Sequence, residues 1–313
     1  MGDLFLGVDG GQSSTTAVIG DAEGRIVGWG SAGPCNHVGA AEARDKFRRV
    51  MQECLAQAAV KAGVQTGLSR WRFKAACLGM SGGPEDKAAL LHELVESDHT
   101  TVTHDAAIAL AGATSGEPGI IVIAGTGSMA FGQNGRGETA RVGGWGYIFG
   151  DEGGAFDIAR QALRAILREH EGWGAHTALT PALLEAASAR DANELLHLFY
   201  TDTWPRTRVA DLARTVTRIA EEGDPIALRL LHQAAQEIAL MAGAVRRQLW
   251  TEGAPVTISW AGGVFRSAPL LERFRMLLAL EATAVCEPPK HGPAEGALLL
   301  AWRSAGLNVR PRT

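Results

Sequence analysis

The sequence has little cysteine, no surplus of positive charge and no long apolar run, and each shortage closes off a class of function. Its four cysteines, Cys35, Cys54, Cys77 and Cys286, form no C-x-x-C pair and stand at no zinc spacing, so they read as reduced, mostly buried thiols. Thirty Lys plus Arg against 34 Asp plus Glu give a formal net charge of -4, which leaves no overall basic field to draw nucleic acid or an anionic membrane surface. Any phosphate must then be held locally. No stretch approaches the roughly 20 apolar residues of a membrane span. The opening LFLGV, flanked by Asp3 and Asp9, is too short and too acidic for a secretion signal, and the expected location is the cytoplasm. There is also no Gly-Lys pair, which excludes the G-x-x-x-x-G-K-[ST] phosphate loop.

What the chain does have is enough apolar sequence for two cores: 313 residues, 46% hydrophobic and 20% charged. It also repeats itself. The start reads as a strand LFLGV, a loop DGGQSST, a strand TAVIG, a turn DAEGR and a strand IVGWG; the stretch GIIVIAGTGSMAFGQNGRGETARVGGWG, residues 119–146, echoes that order. Short strands joined by glycine turns predict hairpins. Each copy leads into an amphipathic helix, the first with Phe47, Val50, Met51, Cys54, Leu55 and Ala58 on one face, the second with Phe156, Ile158, Ala159, Ala162, Leu163, Ile166 and Leu167. Duplicated α/β lobes are the natural reading. The rest is mostly helical, in TPALLEAASARDANELLHLFY, VADLARTVTRIAEEG and PIALRLLHQAAQEIALMAGAVRRQLW. Two strand-like pieces, RFKAACLGMSG and VTISWAGG, end in small residues at what would be a strand's carboxyl end, the edge where ligands bind in open α/β sheets.

Four glycine loops need a purpose: DGGQSST, MSGG, AGTGS and AGG. Gly125, Gly127 and Ala130 fit the spacing of a dinucleotide fingerprint, but that motif needs a helix to open at once, and FGQNGRGETARVGG reads as a hairpin. Glycine loops on hairpins can still cradle phosphates, since backbone amides without a Cβ approach anionic oxygens closely. An acid in the first loop fits a phosphate only if a cation comes with it. Asp9 is then a candidate to orient hydrated magnesium, its alternative being an Asx-turn that closes the loop.

DGGQSST, VTHDA, AGTGS, GGWGYIFGDEGGA, AGGVF and AEGALLL stand in the order and approximate spacing of the actin-like ATPase superfamily of sugar kinases. Together they resemble its N-acetylglucosamine kinase branch, within the wider group of BadF and BcrA type ATPases, from Phe5 to about Ala301. The resemblance implies two ribonuclease-H-like lobes around a central nucleotide and sugar cleft, residues 1–112 and 113–294, with the last helix, 295–313, returning to the first lobe. It implies ATP and Mg²⁺ as cofactors, a small sugar as substrate, a homodimer, and no nucleic-acid or membrane partner. Asp9, Gly10, Gly11, Ser13 and Thr15 would form the first phosphate loop, with Asp9 holding the metal through water. Gly125 and Ser128 would belong to the second loop, and Gly262 and Gly263 would border the adenine.

By the same resemblance Asp105 is the general base for phosphorylation of N-acetylglucosamine to its 6-phosphate; read from the residues alone it can also be a helix N-cap. Asn36, Thr126, Gly127, Gly144, Trp145, Asp151 and Ala155 match sugar-contacting positions. Asp151 can accept two sugar hydroxyls or cap the helix that begins near Gly154, and Trp145 can border the ring or fill core. Glu152 and His104 read as supporting or surface residues; Trp29, Trp71, Trp204, Trp250, Trp260 and Trp302 read as packing. One position departs from the branch: its mammalian members carry Asn directly after GTGS, and this chain has Met129. Glucosamine or a muramic-type sugar is therefore an alternative substrate. An ATPase activator with a bridging iron–sulfur cluster is disfavoured by the scattered cysteines, a DNA-binding repressor by a first strand that starts by Leu4, and a non-catalytic binding protein by the presence of Asp9 and Asp105.

Overall fold

A computed structural model describes residues 2–11, 14–35, 41–64, 70–81, 85–281 and 283–312. The chain divides into two units, residues 1–117 with 288–313, and residues 118–287.

In the first unit the apolar opening forms β1 (Leu4–Gly10), and glycine-bearing turns return it antiparallel as β2 (Thr15–Asp21) and then β3 (Ile26–Ala32). After α1 (Ala41–Lys61), β4 (Trp71–Met80) pairs parallel to β1; after α2 (Glu85–Leu94), β5 (Val95–His104) pairs parallel to β4 and runs straight into α3 (Asp105–Thr114). The sheet order is β3-β2-β1-β4-β5. Alternation along the strands feeds two cores, one on each face. Leu6, Val8, Ala17, Ile19, Ala76 and Leu78 join Phe47, Met51, Cys54, Leu55 and Ala58 of α1. Phe5, Val18, Ala75 and Cys77 join Ile108 of α3. The expected boundary after Gly112 would cut α3; the division falls just past the end of that helix.

The second unit repeats the plan. Its hairpins are β6 (Gly119–Ala124), β7 (Ser128–Gln133) and β8 (Thr139–Gly143), followed by α4 (Ala155–His170), α5 (Leu179–Ala187), α6 (Ala192–Leu198), α7 (Arg206–Glu221) and α8 (Pro225–Leu249). Then come β9 (Val256–Ala261) parallel to β6, a 3-10 turn (Gly263–Arg266), α9 (Ala268–Ala279) and β10 (Ala284–Cys286) parallel to β9. The order β8-β7-β6-β9-β10 has the same antiparallel and parallel pairings as the first sheet, so the sequence echo is a structural repeat. A strand, not a helix, follows GTG, which removes the dinucleotide reading. Asp224 caps α8 through the amides of Ile226 and Ala227; against the burial that would raise it, those amides, the Ala178 amide and the Thr177 hydroxyl hold its carboxyl below the usual range.

The last helix, α10 (Pro293–Ser304), completes the first unit. Ala294, Ala297, Leu298, Leu299, Ala301 and Trp302 fill the core behind Phe5 and Val18. It gets close because glycine stands at the contacts: a Cβ on Gly7 would fall on the backbone of Leu298, and one on Gly296 would fall on the Ile108 carbonyl. Trp302 also donates from Nε1 to the Asp21 carbonyl at 2.9 Å.

Trp71, Trp204 and Trp302 are buried, and Trp250 and Trp260 pack against the second core as expected. Trp29 is the exception. It is 56% exposed, with the Lys61 ammonium over its ring, because odd and even residues of the edge strand β3 face opposite ways. All four cysteines are free thiols, and burial pushes Cys54 and Cys77 up to about 12. Among the described residues no helix is long and apolar enough to cross a membrane.

Candidate active site

Parallel pairing aligns the ends of three strands in the first unit. Register sets Asp9 beside Gly79 and Gly79 beside Thr103, then Gly10 beside Met80 and Met80 beside His104. Asp9 therefore lies at the carboxyl edge, next to the last residue of β1, and Asp105 follows β5 directly as the first residue of α3. Glu295 stands in the first turn of α10. Burial pushes the Asp9 carboxyl up to about 6, and the neighbouring charges of Asp105 and Glu295 push in the same direction.

Such a group of carboxylates favours a cation. Among the described residues no set of three or more His, Cys, Asp or Glu side chains is arranged to ligate a metal directly. One buried carboxylate with two further negative charges near it suits a hydrated hard cation, the mode in which Mg²⁺ keeps several waters and takes phosphate oxygens. The N-cap of α3 is His104, without a side-chain capping bond, so the cap alternative for Asp105 falls away; its Oδ1 accepts from the Ala106 amide at 2.8 Å.

The first glycine loop is thin for a physical reason: a Cβ on Gly10 would meet Met80 Sδ and Cys35 Sγ. The Gly11 amide donates to the Ser14 carbonyl at 2.9 Å, which closes the turn without the Asp9 carboxylate, so the Asx-turn alternative is not what the backbone uses. Thr15 lies at the end of the loop, as the first residue of β2. Its side chain is buried and its hydroxyl donates to the Gly33 carbonyl at 2.9 Å, tying β2 to the end of β3, so that proton is spent inside the fold. Ser13 and Asn36 lie outside the described residues.

In the second unit the GTG loop links β6 to β7. The Gly125 amide donates to the Gly127 carbonyl at 2.9 Å, and the first amides of α4 dock onto the loop, Ala155 to Gly125 at 2.8 Å and Phe156 to Thr126 at 3.1 Å. The Ala155 amide is thus committed to the protein. Gly262, at φ 107°, packs on the end of β6, where a Cβ would strike the Ala124 carbonyl; Gly263 faces open space. The Ser128 hydroxyl donates to the Glu152 carbonyl at 2.6 Å, so it too holds the loop together instead of pointing outward.

Asp151 is 5% exposed and adopts the left-handed conformation at φ 64°, a costly one for a non-glycine residue. It does not cap α4, whose N-cap is Gly154. Its Oδ1 faces the Ser128 amide at 3.5 Å and its Oδ2 is paired with Arg206. Gly127 must be glycine here, because a Cβ would land on the Asp151 carboxylate. Trp145 is 71% exposed beneath the Arg141 guanidinium at 5.3 Å, so it does not fill core. The Gly144 amide donates to the Ser128 carbonyl, and a Cβ on Gly144 would stand 3.4 Å from Met129, which puts the departing residue beside the GGWG turn. Two members escaped the sequence reading. Glu295 was visible as the acid of AEGALLL, whereas Arg206, in a plain PRTR helix start, had no motif to announce it.

The chain resembles known proteins over nearly its whole length. It is 32% identical over 304 residues to an N-acetylmuramic acid/N-acetylglucosamine kinase of Clostridium acetobutylicum, covering 95% of this chain and 97% of the relative. It is 29% identical to an N-acetyl-D-glucosamine kinase of Dictyostelium discoideum, covering 79% of this chain and 80% of the relative. A structure from Chromobacterium violaceum, provisionally named an N-acetylglucosamine kinase, superposes with a TM-score of 0.76 at 24% identity, covering 96% and 99% of the two chains. With two five-stranded sheets of one plan, the fold is that of the actin-like ATPases, and over residues 6–301 the chain belongs to the BadF/BadG/BcrA/BcrD ATPase family.

Proposed function

We propose that the protein transfers the γ-phosphoryl group of ATP to a hydroxyl of an amino sugar, with N-acetylglucosamine as substrate and its 6-phosphate as product. The observation that carries this reading is Asp9 and Asp105 at one strand edge, with Glu295 of α10 near enough for its charge to act on Asp9, a charge group that calls for a cation and supplies a base. Asp105 accepts the proton of the sugar hydroxyl as that oxygen bonds the γ-phosphorus; the bond from phosphorus to the β–γ bridging oxygen breaks, and ADP leaves with the electron pair. General-base help of this kind is worth about 10²- to 10⁴-fold. Mg²⁺, when bound, neutralises the phosphate charge that the transfer redistributes. Asp9 orients its waters. Gly10, Gly11 and Gly125 let amides approach the phosphates, with Ser13 as a further donor, and Gly262 and Gly263 border the adenine. Thr15 and Ser128 act indirectly, by holding the loops in shape.

On the sugar side, Asn36, Thr126, Gly127, Gly144, Trp145, Asp151 and Ala155 are assigned to the ring. A carboxylate has about four acceptor positions, so Asp151 keeps capacity for hydroxyls beside its bond to Arg206. The names of the Clostridium acetobutylicum and Dictyostelium discoideum relatives support N-acetylglucosamine as substrate. A wider range is favoured by Met129 beside Gly144, which replaces a polar side chain with an apolar one and loosens the demand on the sugar's substituents.

The test is ADP release with Mg-ATP and N-acetylglucosamine, glucosamine, N-acetylmuramic acid, N-acetylmannosamine or glucose, against a blank without sugar. The highest kcat/KM is expected for an N-acetylated sugar. ATP turnover indifferent to every sugar would sink the kinase reading.

A further inference from the structure

Arg206 is a cation that the mechanism above leaves without a task of its own. It is the first residue of α7, after Pro205, and 29% of its side chain is exposed. Nη2 pairs with Asp151 Oδ2. The guanidinium carbon lies 5.2 Å over the Tyr147 ring and 5.9 Å from that of Phe156, and these two rings meet edge to face at 5.0 Å. Its Nε is buried and, among the described residues, has no hydrogen-bond partner. A buried donor left unpaired is costly, so this one is poised for an acceptor. Guanidinium groups present their donors as a planar fork matched to a carboxylate. One edge of this fork is spent on Asp151, the rings hold its plane, and the Nε–H still lacks an acceptor. A second guanidinium, Arg141, stacks on Trp145 of the same turn. Two acids of the same stretch are not available to it: Asp157 is bound to Arg160 and the Gly153 amide, and Glu152 is exposed.

We propose that Arg206 reads an anionic substituent on the sugar, so that the site admits an amino sugar carrying a carboxylate as well as a neutral one. This rests on the assignment of Asp151 to the sugar. Asp151 binds ring hydroxyls, and Arg206 supplies the carboxylate's acceptor oxygens with the donors that Asp151 does not use. The substituent of this class is a carboxyalkyl ether, as in N-acetylmuramic acid. A site built to bind a polar group discriminates strongly between ligands that have the group and ligands that lack it.

The experiment compares kcat/KM for N-acetylglucosamine and N-acetylmuramic acid in the wild type, Arg206→Gln and Arg206→Lys, with melting temperature as the check on folding. Both sugars should turn over in the wild type. Arg206→Gln should weaken the neutral sugar on the order of tenfold, through the orphaned Asp151, and the acidic sugar on the order of a thousandfold, changing the ratio about a hundredfold. Arg206→Lys keeps the charge but loses the fork, and should restore the neutral sugar more than the acidic one. An unchanged ratio in both variants would overturn the proposal and make Arg206 a positioning residue for Asp151. Wild-type turnover of the neutral sugar alone would also overturn it while leaving the kinase reading intact; turnover of neither sugar would remove that reading instead.

Discussion

Asp9 and Asp105 stand at one strand edge, but their substitutions should separate cleanly. Asp105→Asn removes the proposed base without touching the core, so turnover should fall about 10²- to 10⁴-fold, while ATP affinity and melting temperature stay near wild type; ADP release and thermal melting check the two halves. Asp9 is different, because its carboxyl rises from 3.8 to about 6 on burial beside two other acids. The native state thus holds this proton more tightly than the unfolded chain. That contribution to stability is complete at low pH and is lost as pH rises through about 6. Asp9→Asn should therefore raise the melting temperature near about pH 8 and change it little near about pH 4.5, while turnover and its dependence on magnesium collapse. In the wild type, activity should fall as pH drops through about 6, and excess Mg²⁺ should move that limb lower, since the cation competes with the proton. An acid limb indifferent to magnesium would detach Asp9 from the metal. Both acids were legible as single letters in strand-end motifs. Arg206 was not, because its importance comes from Asp151, 55 positions away in sequence.

At the scale of elements, glycine marks two different jobs. Gly296 lets α10 lie against the backbone of α3, so Gly296→Val should destabilise the protein by about 1–3 kcal/mol or more through overpacking. Gly263 faces open space, so Gly263→Ala should leave the melting temperature alone and show itself as a higher KM for ATP. Thermal melts and ATP titrations of the pair would distinguish scaffold from ligand approach. The hairpins and the helices after them were readable from alternation and glycine turns, and so was the repeat, because both copies obey the same pattern. The break between α5 and α6 was not. It occurs at Ser188, at φ 55°, where a serine takes the left-handed shape that sequence assigns to glycine. The internal bonds of the Thr15 and Ser128 hydroxyls are not legible either, since a loop motif tells which residues are present and not which of their bonds are already used.

At the scale of the whole molecule, one unit is continuous in sequence and the other is not. Residues 118–287 carry their own core, whereas the first unit needs 288–313 to cover Phe5, Val18, Ala75 and Cys77. Truncation after residue 287 should therefore expose one face of the first sheet and leave that unit open to proteolysis, while a protected fragment near residues 118–287 survives; limited digestion with mass spectrometry would show it. The same arrangement sets a timetable for the cell. The first strands leave the ribosome early, but their last wall arrives only with α10, after the whole second unit has been made. At about 5–20 residues per second that wait is roughly ten to forty seconds. During synthesis the half that begins first must finish last, and an unfinished sheet travels with the nascent chain until its final helix emerges.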